Sequence, residues 1–429
     1  MKMVKILALV LFLVVAAAML IACNGDTQGG GDGPVTIRVA TSGSHQEMQL
    51  RYDTAVLFME EQDDIEIEWI DIGDDRVQVT MTLIAGGDAP DILYINEQVI
   101  AFAVLDQLLP LNDLIDNDPN FDLSTFYDGL IAANSWQGNV YALPQEVSPF
   151  VIYFNRDMFE ANGVPLPTDN WTRDEFYAAA LALTNPDEMV YGYMHNAGWA
   201  DQQWGWFLRA GMTNAFRNDF TEINFDTPEA LEVLEFIHRM VVVDGVSPDP
   251  AEAQALGMGN AALFQNEMVA MFSAGLWMLP QFIAEPLDFE WDVVRMPMSA
   301  NQYTKAGVLN WAIYTNSPHI DEAWEFLTYL VGPVGMRIVA ESHMALPANT
   351  DVEANRIIAE SGFPPNVQAF IDSAPLVNLN TTLSPQRLEI NNELNAQMDL
   401  LMLDQQTPEE TQRALVENIN AILAMAAAS

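Results

Sequence analysis

Cys23 is the only thiol in a chain of 429 residues, and the five histidines, His45, His195, His238, His319 and His343, are scattered singly along it. A lone cysteine excludes a disulfide framework and cysteine-based metal sites, and no two histidines stand at HExxH spacing. The sequence has no GxGxxG, no GxxxxGK[ST] and no GxSxG, so the usual signatures of dinucleotide, P-loop and acyl-transfer chemistry are missing. Sixty Asp and Glu residues could supply the two carboxylates of a glycosidase, which stand roughly 5–10 Å apart, but no motif nominates such a pair. Asp116-Asn-Asp-Pro-Asn-Phe-Asp122 resembles a calcium loop only faintly. It lacks glycine at the sixth position, contains Pro119, and places Tyr127 where a bidentate glutamate belongs. We read it, and Asp71-Ile-Gly-Asp-Asp75, as solvated Asx-rich loops. No catalytic residue, metal or cofactor is nominated.

The charge balance narrows the partners. Lys plus Arg total 16 against 60 Asp plus Glu, a formal net charge of −44. That surface repels nucleic acid and anionic lipid headgroups. Half of the residues are apolar, which argues against disorder and for a large core. At about 100–200 residues per domain, two or three domains are expected.

The N-terminus carries Lys2 and Lys5 ahead of an uncharged apolar run, Ile6 to Ala22, which reads as a signal peptide over residues 1–22. The run ends in Leu20-Ile-Ala-Cys23, similar to a bacterial lipobox, in which cleavage leaves Cys23 as an acylated first residue. A plain membrane anchor is the alternative. Residues 23–34, rich in glycine, then form a flexible tether. The protein is expected to be exported and held as a lipoprotein on the outer face of the cell membrane, or its periplasmic side, touching the membrane through its lipid alone.

These elements must position any site. Val35–Ala40, Ile65–Ile70 and Asp91–Ile95 read as strands, and Gln46–Glu61 and Val77–Ala85 as helices between them, a parallel α/β pattern. Ligands in such sheets gather beyond the carboxyl ends of strands, here residues 41–47 and 96–98. Thr172-Arg-Asp-Glu175 and Thr407-Pro-Glu-Glu410 are capping boxes. Thr227-Pro and Ser317-Pro place a cap before a first-turn proline. Ala323, Phe326, Leu327 and Leu330 line one helical face up to Gly332-Pro333, and Leu415, Ile419, Ile422 and Leu423 line another.

Several segments in order resemble the extracellular solute-binding proteins, maltose-binding type, that deliver sugars to bacterial ABC importers. They are Gly86-Gly-Asp-Ala-Pro-Asp-Ile92, Gly138-Asn-Val-Tyr-Ala-Leu-Pro144, Tyr153-Phe-Asn-Arg-Asp-Met-Phe159, Gly163-Val-Pro-Leu-Pro-Thr168 and Asn170-Trp-Thr-Arg-Asp-Glu-Phe176. Ala274-Gly-Leu-Trp277, Met296-Pro297, Trp311-Ala-Ile313 and Ser317 to Leu327 complete the set. The resemblance implies a type II periplasmic-binding-protein-like fold of two α/β lobes, each a mainly parallel sheet flanked by helices, joined by a hinge that the chain crosses several times. Lobe one would be residues 35–145 plus 297–345, and lobe two 146–296 plus 346–429. It implies a monomer without enzyme activity that captures a mono- or oligosaccharide between the lobes and passes it to transmembrane permease subunits. A polyol, glycerophosphodiester or peptide binder, a receptor-coupled sensor and a surface glycosidase remain as alternatives.

A sugar needs aromatic platforms and polar side chains that donate and accept. The resemblance puts Trp277 on lobe two, the Trp199, Asp201, Gln202 and Trp204 segment beside it, and Trp311 on lobe one. Beyond the strand ends stand Ser44, His45 and Gln46, then Glu97 and Gln98. Two positions depart from the family pattern: Ser148 replaces an acidic residue, and Arg387, Asn391 and Asn392 stand where an aromatic lines the cleft. An Arg387 facing the cleft would favour an anionic ligand.

Overall fold

The computed structural model describes residues 33–429 except 74, 197, 218–219, 351, 380–383 and 428–429, and leaves the side chains of 352 and 426–427 undescribed. The signal peptide, Cys23 and nearly all of the tether lie outside the described residues. From Thr36 onward the chain forms one compact unit, which holds every element below apart from Val35 at the start of β1. Among the described residues, no helix is long and apolar enough to cross a membrane.

The chain begins β1 (Val35–Thr41), α1 (His45–Glu61), β2 (Ile65–Asp71), α2 (Arg76–Gly86) and β3 (Ile92–Ile95), within a residue or two of the sequence expectation. It continues through β4 (Leu143–Pro149), β5 (Val151–Asn155), α3 (Arg173–Ala182), α4 (Ala200–Arg209) and α5 (Pro228–His238). Then come β6 (Met271–Ala274), α6 (Leu279–Ala284), β7 (Trp291–Arg295) and β8 (Ala306–Ile313). The last elements used below are α7 (Ile320–Leu330), α8 (Pro333–Ser342), β9 (Leu346–Pro347), α9 (Arg387–Met402) and α10 (Pro408–Ala427).

Six strands form one sheet in the order β9-β4-β8-β3-β1-β2, and three form another, β6-β5-β7. β1 runs parallel to β3, but β8 is antiparallel to both β3 and β4, and β9 is antiparallel to β4. In the second sheet β5 is antiparallel to β6 and β7. The expected mainly parallel sheets are therefore corrected to mixed and antiparallel pairing. The cause is that the chain passes between the sheets with little intervening length, at Phe150 between β4 and β5 and again between β7 and β8. Strands that return this way come back in the opposite sense, without a helical crossover.

Local signals act as the residues require. Thr172 and Glu175 cap α3 reciprocally, and Thr407 and Glu410 do the same before α10. Thr227 accepts from the N–H of Ala230 with Pro228 at the first helical position. Ser317 differs: its hydroxyl donates to Asp91 at 2.6 Å and accepts from the N–H of His319, so α7 starts two residues past Pro318. Gly332-Pro333 is a corner, with Pro333 opening α8. The second sheet is buried under α3, α4, α5, α9 and α10 through a continuous core that includes Ile152, Phe176, Phe207, Leu234, Leu394 and Ile419.

Candidate functional site

β3 ends at Ile95, and its loop presents Asn96, Glu97 and Gln98 beyond the strand terminus, as the α/β pattern requires. Asn310 of β8 fixes that loop, donating to the carbonyl of Asn96 at 2.7 Å while accepting from Asn134. Glu97 Oε2 lies 3.6 Å from Nη1 of Arg387, at the start of α9. Arg387 Nη2 lies 3.3 Å from Asp201 Oδ2, in the first turn of α4, and Lys305 Nζ, just before β8, lies 3.3 Å from Asp201 Oδ1. Two acids and two bases thus alternate through an enclosed row whose Lys305 side chain is 0% exposed. Burial pushes the Glu97 carboxyl above its ordinary range, and Arg387 only partly opposes this. Burial acts on Asp201 in the same direction, but Lys305 and Arg387 together outweigh it and hold that carboxyl low. Burial also lowers Lys305.

A second cluster is aromatic. The ring of Phe150 lies 4.6 Å from Trp199 and 5.7 Å, edge-on, from Trp277, and the two tryptophans stand 6.3 Å apart. Trp277 rests on backbone because residue 275 has no side chain: a Cβ there would come within 2.1 Å of the indole and 2.4 Å of Ser148 Oγ. Ser148 Oγ accepts from the N–H of Leu276 at 2.7 Å, and Tyr153 donates to the carbonyl of Gly275 at 2.7 Å. Ser148 is therefore the seat of the Trp277 turn. Trp277 is half-buried, and with Ser44, Gln46, Glu47, Gln281 and Met344 it lines a cavity of about 490 Å³.

A third group surrounds Tyr94. The guanidinium carbons of Arg51 and Arg76 lie 4.9 and 5.2 Å from its ring centre. Arg51 is buried, donates to the carbonyl of Ser42 at 2.5 Å, and lies 3.9 Å from Glu146. Burial raises the Glu146 carboxyl, with Arg51 opposing. Tyr94, Arg76, Asn96, Gln98 and Leu388 line a further cavity of about 360 Å³. Another cavity, of about 700 Å³, lies between Phe58, Phe121, Phe126 and Tyr329 and contains none of the candidate residues.

The structure thus brings Glu97, Asp201 and Arg387 into one row, and Trp199, Trp277 and Ser148 into one cluster. Ser44 and Gln46 share a cavity wall with Trp277, and Gln98 stands in the cavity beside Tyr94. Two expectations are corrected. Trp204 is 1% exposed, donates to Asn391 Oδ1 at 2.9 Å and packs against Phe207 and Phe225. Trp311 is 0% exposed and donates to Gln145 Oε1 at 2.7 Å, with Tyr94 edge-on at 5.5 Å. Neither indole has an open face to offer a ligand, so both are core residues. Gln202 is likewise buried, bonded to Tyr193 and Ser273. Arg387 is engaged by two carboxylates, which offset the charge that would have favoured an anionic ligand.

Lys305 and Phe150 were not singled out by sequence reasoning. A signal for the first exists: Lys305 is the only lysine beyond Lys5. The acidic loop of Asp116–Asp122 behaves as turn chemistry, with Asp118 and Asp122 accepting from nearby backbone N–H groups. Among the described residues, no group of three or more His, Cys, Asp or Glu could hold a metal ion.

Residues 43–337, more than half of the chain, match the family profile described as bacterial extracellular solute-binding protein. The chain belongs to that family. A putative binding protein of Brucella abortus is 22% identical over 228 residues, 53% of this chain and 55% of the relative, so the chain spans about half the length of that relative. An arabinooligosaccharide-binding protein of Halalkalibacterium halodurans is 22% identical over 369 residues, covering 80% of this chain and 78% of the relative. Among solved structures, an ABC substrate-binding protein of Listeria monocytogenes in complex with cycloalternan superposes with a TM-score of 0.82 at 23% identity, over 91% of this chain and 99% of that one. The sugar-binding protein MalE of Xanthomonas citri superposes with a TM-score of 0.79 at 20% identity, over 91% and 98%. This solute-binding protein therefore has the two-lobed type II periplasmic-binding-protein fold.

Proposed function

We propose that this solute-binding protein captures a neutral carbohydrate between its lobes and delivers it to the transmembrane permease of an ABC importer. The carrying observation is the Trp277 cavity, where one half-buried indole held on Gly275 faces the polar side chains of Ser44, Gln46 and Glu47. A sugar presents a C–H face for such a ring and hydroxyls for such a rim. The balanced charges of Glu97, Arg387, Asp201 and Lys305 favour an uncharged ligand, because each charge already has a partner of opposite sign.

The expected lobes, 35–145 plus 297–345 and 146–296 plus 346–429, would shift by a few residues at their boundaries. Since β4 stays in the first sheet through Pro149 and β9 through Pro347, we place the crossings themselves at Phe150, between Arg295 and Ala306, and after Pro347. Closure about these segments is biased by contacts that a ligand makes only in the closed form. No covalent step is involved. Cys23 would carry the lipid that holds the monomer at the membrane, and residues 23–34 would let the body stand off it.

A thermal-shift panel of monosaccharides, oligosaccharides, polyols, glycerophosphodiesters and peptides tests the ligand class. A ligand at a hundred times its Kd adds about 2.7 kcal/mol of stability. A shift confined to neutral sugars supports the proposal, and a shift confined to glycerophosphodiesters or peptides overturns it. Chemical change of the sugar recovered after incubation would replace binding by hydrolysis.

A further inference from the structure

Arg209, at the end of α4, is the one arginine whose burial the site does not explain. It is 2% exposed, and its guanidinium carbon lies 4.4 Å above the ring of Trp206. Its Nη1 corner is set over Gly205, where a Cβ would come within 3.2 Å of it. Among the described residues Nε and Nη2 have no hydrogen-bond partner, in a chain with 60 acidic residues. These two nitrogens share the guanidinium edge whose parallel N–H bonds take an anion bidentately.

The surroundings add donors. Trp206 Nε1 is buried as well and has no partner among the described residues. His195, on the same side of the core, supplies one unpartnered atom, Nδ1. Gln203 donates to the carbonyl of Asn196, so its Oε1 accepts from His195 Nε2 at 2.9 Å, and Nδ1 of the neutral ring is left as an acceptor. Burial lowers this histidine to about 4, which keeps it neutral. Burial likewise lowers Arg209, to about 10, so it remains charged at neutral pH, with Tyr193 rather than a carboxylate acting on it. Unpaired donors therefore outnumber unpaired acceptors, around a full positive charge. A buried guanidinium in that state is expensive unless an anion shares the site.

We propose that the Nε–Nη2 edge of Arg209 holds a small inorganic anion, of the halide class, inside the second core. The site lies beside the charged row without sharing a residue with it, since a Cβ on Gly205 would meet both the Arg209 guanidinium and Lys305 Cγ. Its occupancy would brace α4, the helix that also carries Asp201 of the charged row and follows Trp199 of the aromatic cluster.

The test must separate a site from general screening of so acidic a surface. Sodium concentration and ionic strength are held constant while gluconate is exchanged for chloride or bromide, and the melting temperature of the purified chain is followed. A saturable rise with the halide, absent in Arg209→Met, supports the site. Bromide-soaked crystals of the unsubstituted protein give a second reading that does not depend on the variant folding. An anomalous peak at the Nε–Nη2 edge supports the site, and a water there, or no peak, overturns it. A melting temperature indifferent to the exchange overturns it too.

Discussion

Arg387 joins the loop after β3 to the first turn of α4, with Nη1 3.6 Å from Glu97 Oε2 and Nη2 3.3 Å from Asp201 Oδ2. Glu97 stands on the first sheet's loop and Arg387 on a helix that packs with the second, so one guanidinium ties the two sides of the molecule. Lys305 closes the row on Asp201, and the two acids respond oppositely to the same surroundings.

Asp201 is the acid that the row stabilises when charged. Asp201→Asn leaves Lys305 and Arg387 short of a partner in a buried setting, and is expected to cost about 3–5 kcal/mol at neutral pH. Because the folded Asp201 carboxyl is held low, its contribution is present above the ordinary carboxylate range and is lost as pH falls through the lowered value. Urea denaturation of both proteins across the acid range should show their stabilities converging as pH falls. A constant gap would contradict the pairing.

Glu97 has the opposite sign. Its carboxyl is raised, so ionising it in the folded protein costs stability as pH rises through the ordinary carboxylate range to the raised value. Glu97→Gln is expected to stay within about 1 kcal/mol of the parent at neutral pH, since a neutral amide keeps a hydrogen-bonding group beside Arg387. The pH dependence of stability should lose the part that falls with rising pH. A large loss of stability at neutral pH would show that charged Glu97 is needed for folding.

How much of this was legible follows physical lines. Thr172 with Glu175 and Thr407 with Glu410 announce their helices because capping is local, and the order of the first strands and helices follows from period alone. Glu97 was accessible through the strand-end rule. Strand direction was not, because it depends on where the chain crosses between sheets. Trp204 and Trp311 were misjudged for a related reason: residue type marks an aromatic as large and apolar but does not say which face is covered. Lys305 could have been found by its scarcity.

Trp277 is expected to carry binding more than folding. Trp277→Ala should weaken ligand affinity by about 2 kcal/mol, roughly 30-fold, through lost stacking and burial. Gly275→Ala should do nearly the same with the indole retained, because its Cβ would displace Trp277 and Ser148. Isothermal titration of both variants checks this, and unchanged affinity in both would remove Trp277 from the site.

The core tryptophans should behave in reverse. Trp311→Ala is expected to cost about 3–5 kcal/mol of stability, and the milder Trp204→Phe less, with ligand affinity unchanged in the Trp204→Phe protein. Denaturant melts and titration together decide. A loss of affinity in Trp204→Phe at unchanged stability would return that indole to the cleft.

Calorimetric titration of the purified chain with a panel of neutral saccharides decides whether a neutral sugar binds against Trp277. Saturable binding of at least one saccharide is expected, weakened about 30-fold by Trp277→Ala. Binding of an anionic solute alone, or sugar binding indifferent to Trp277→Ala, would contradict it.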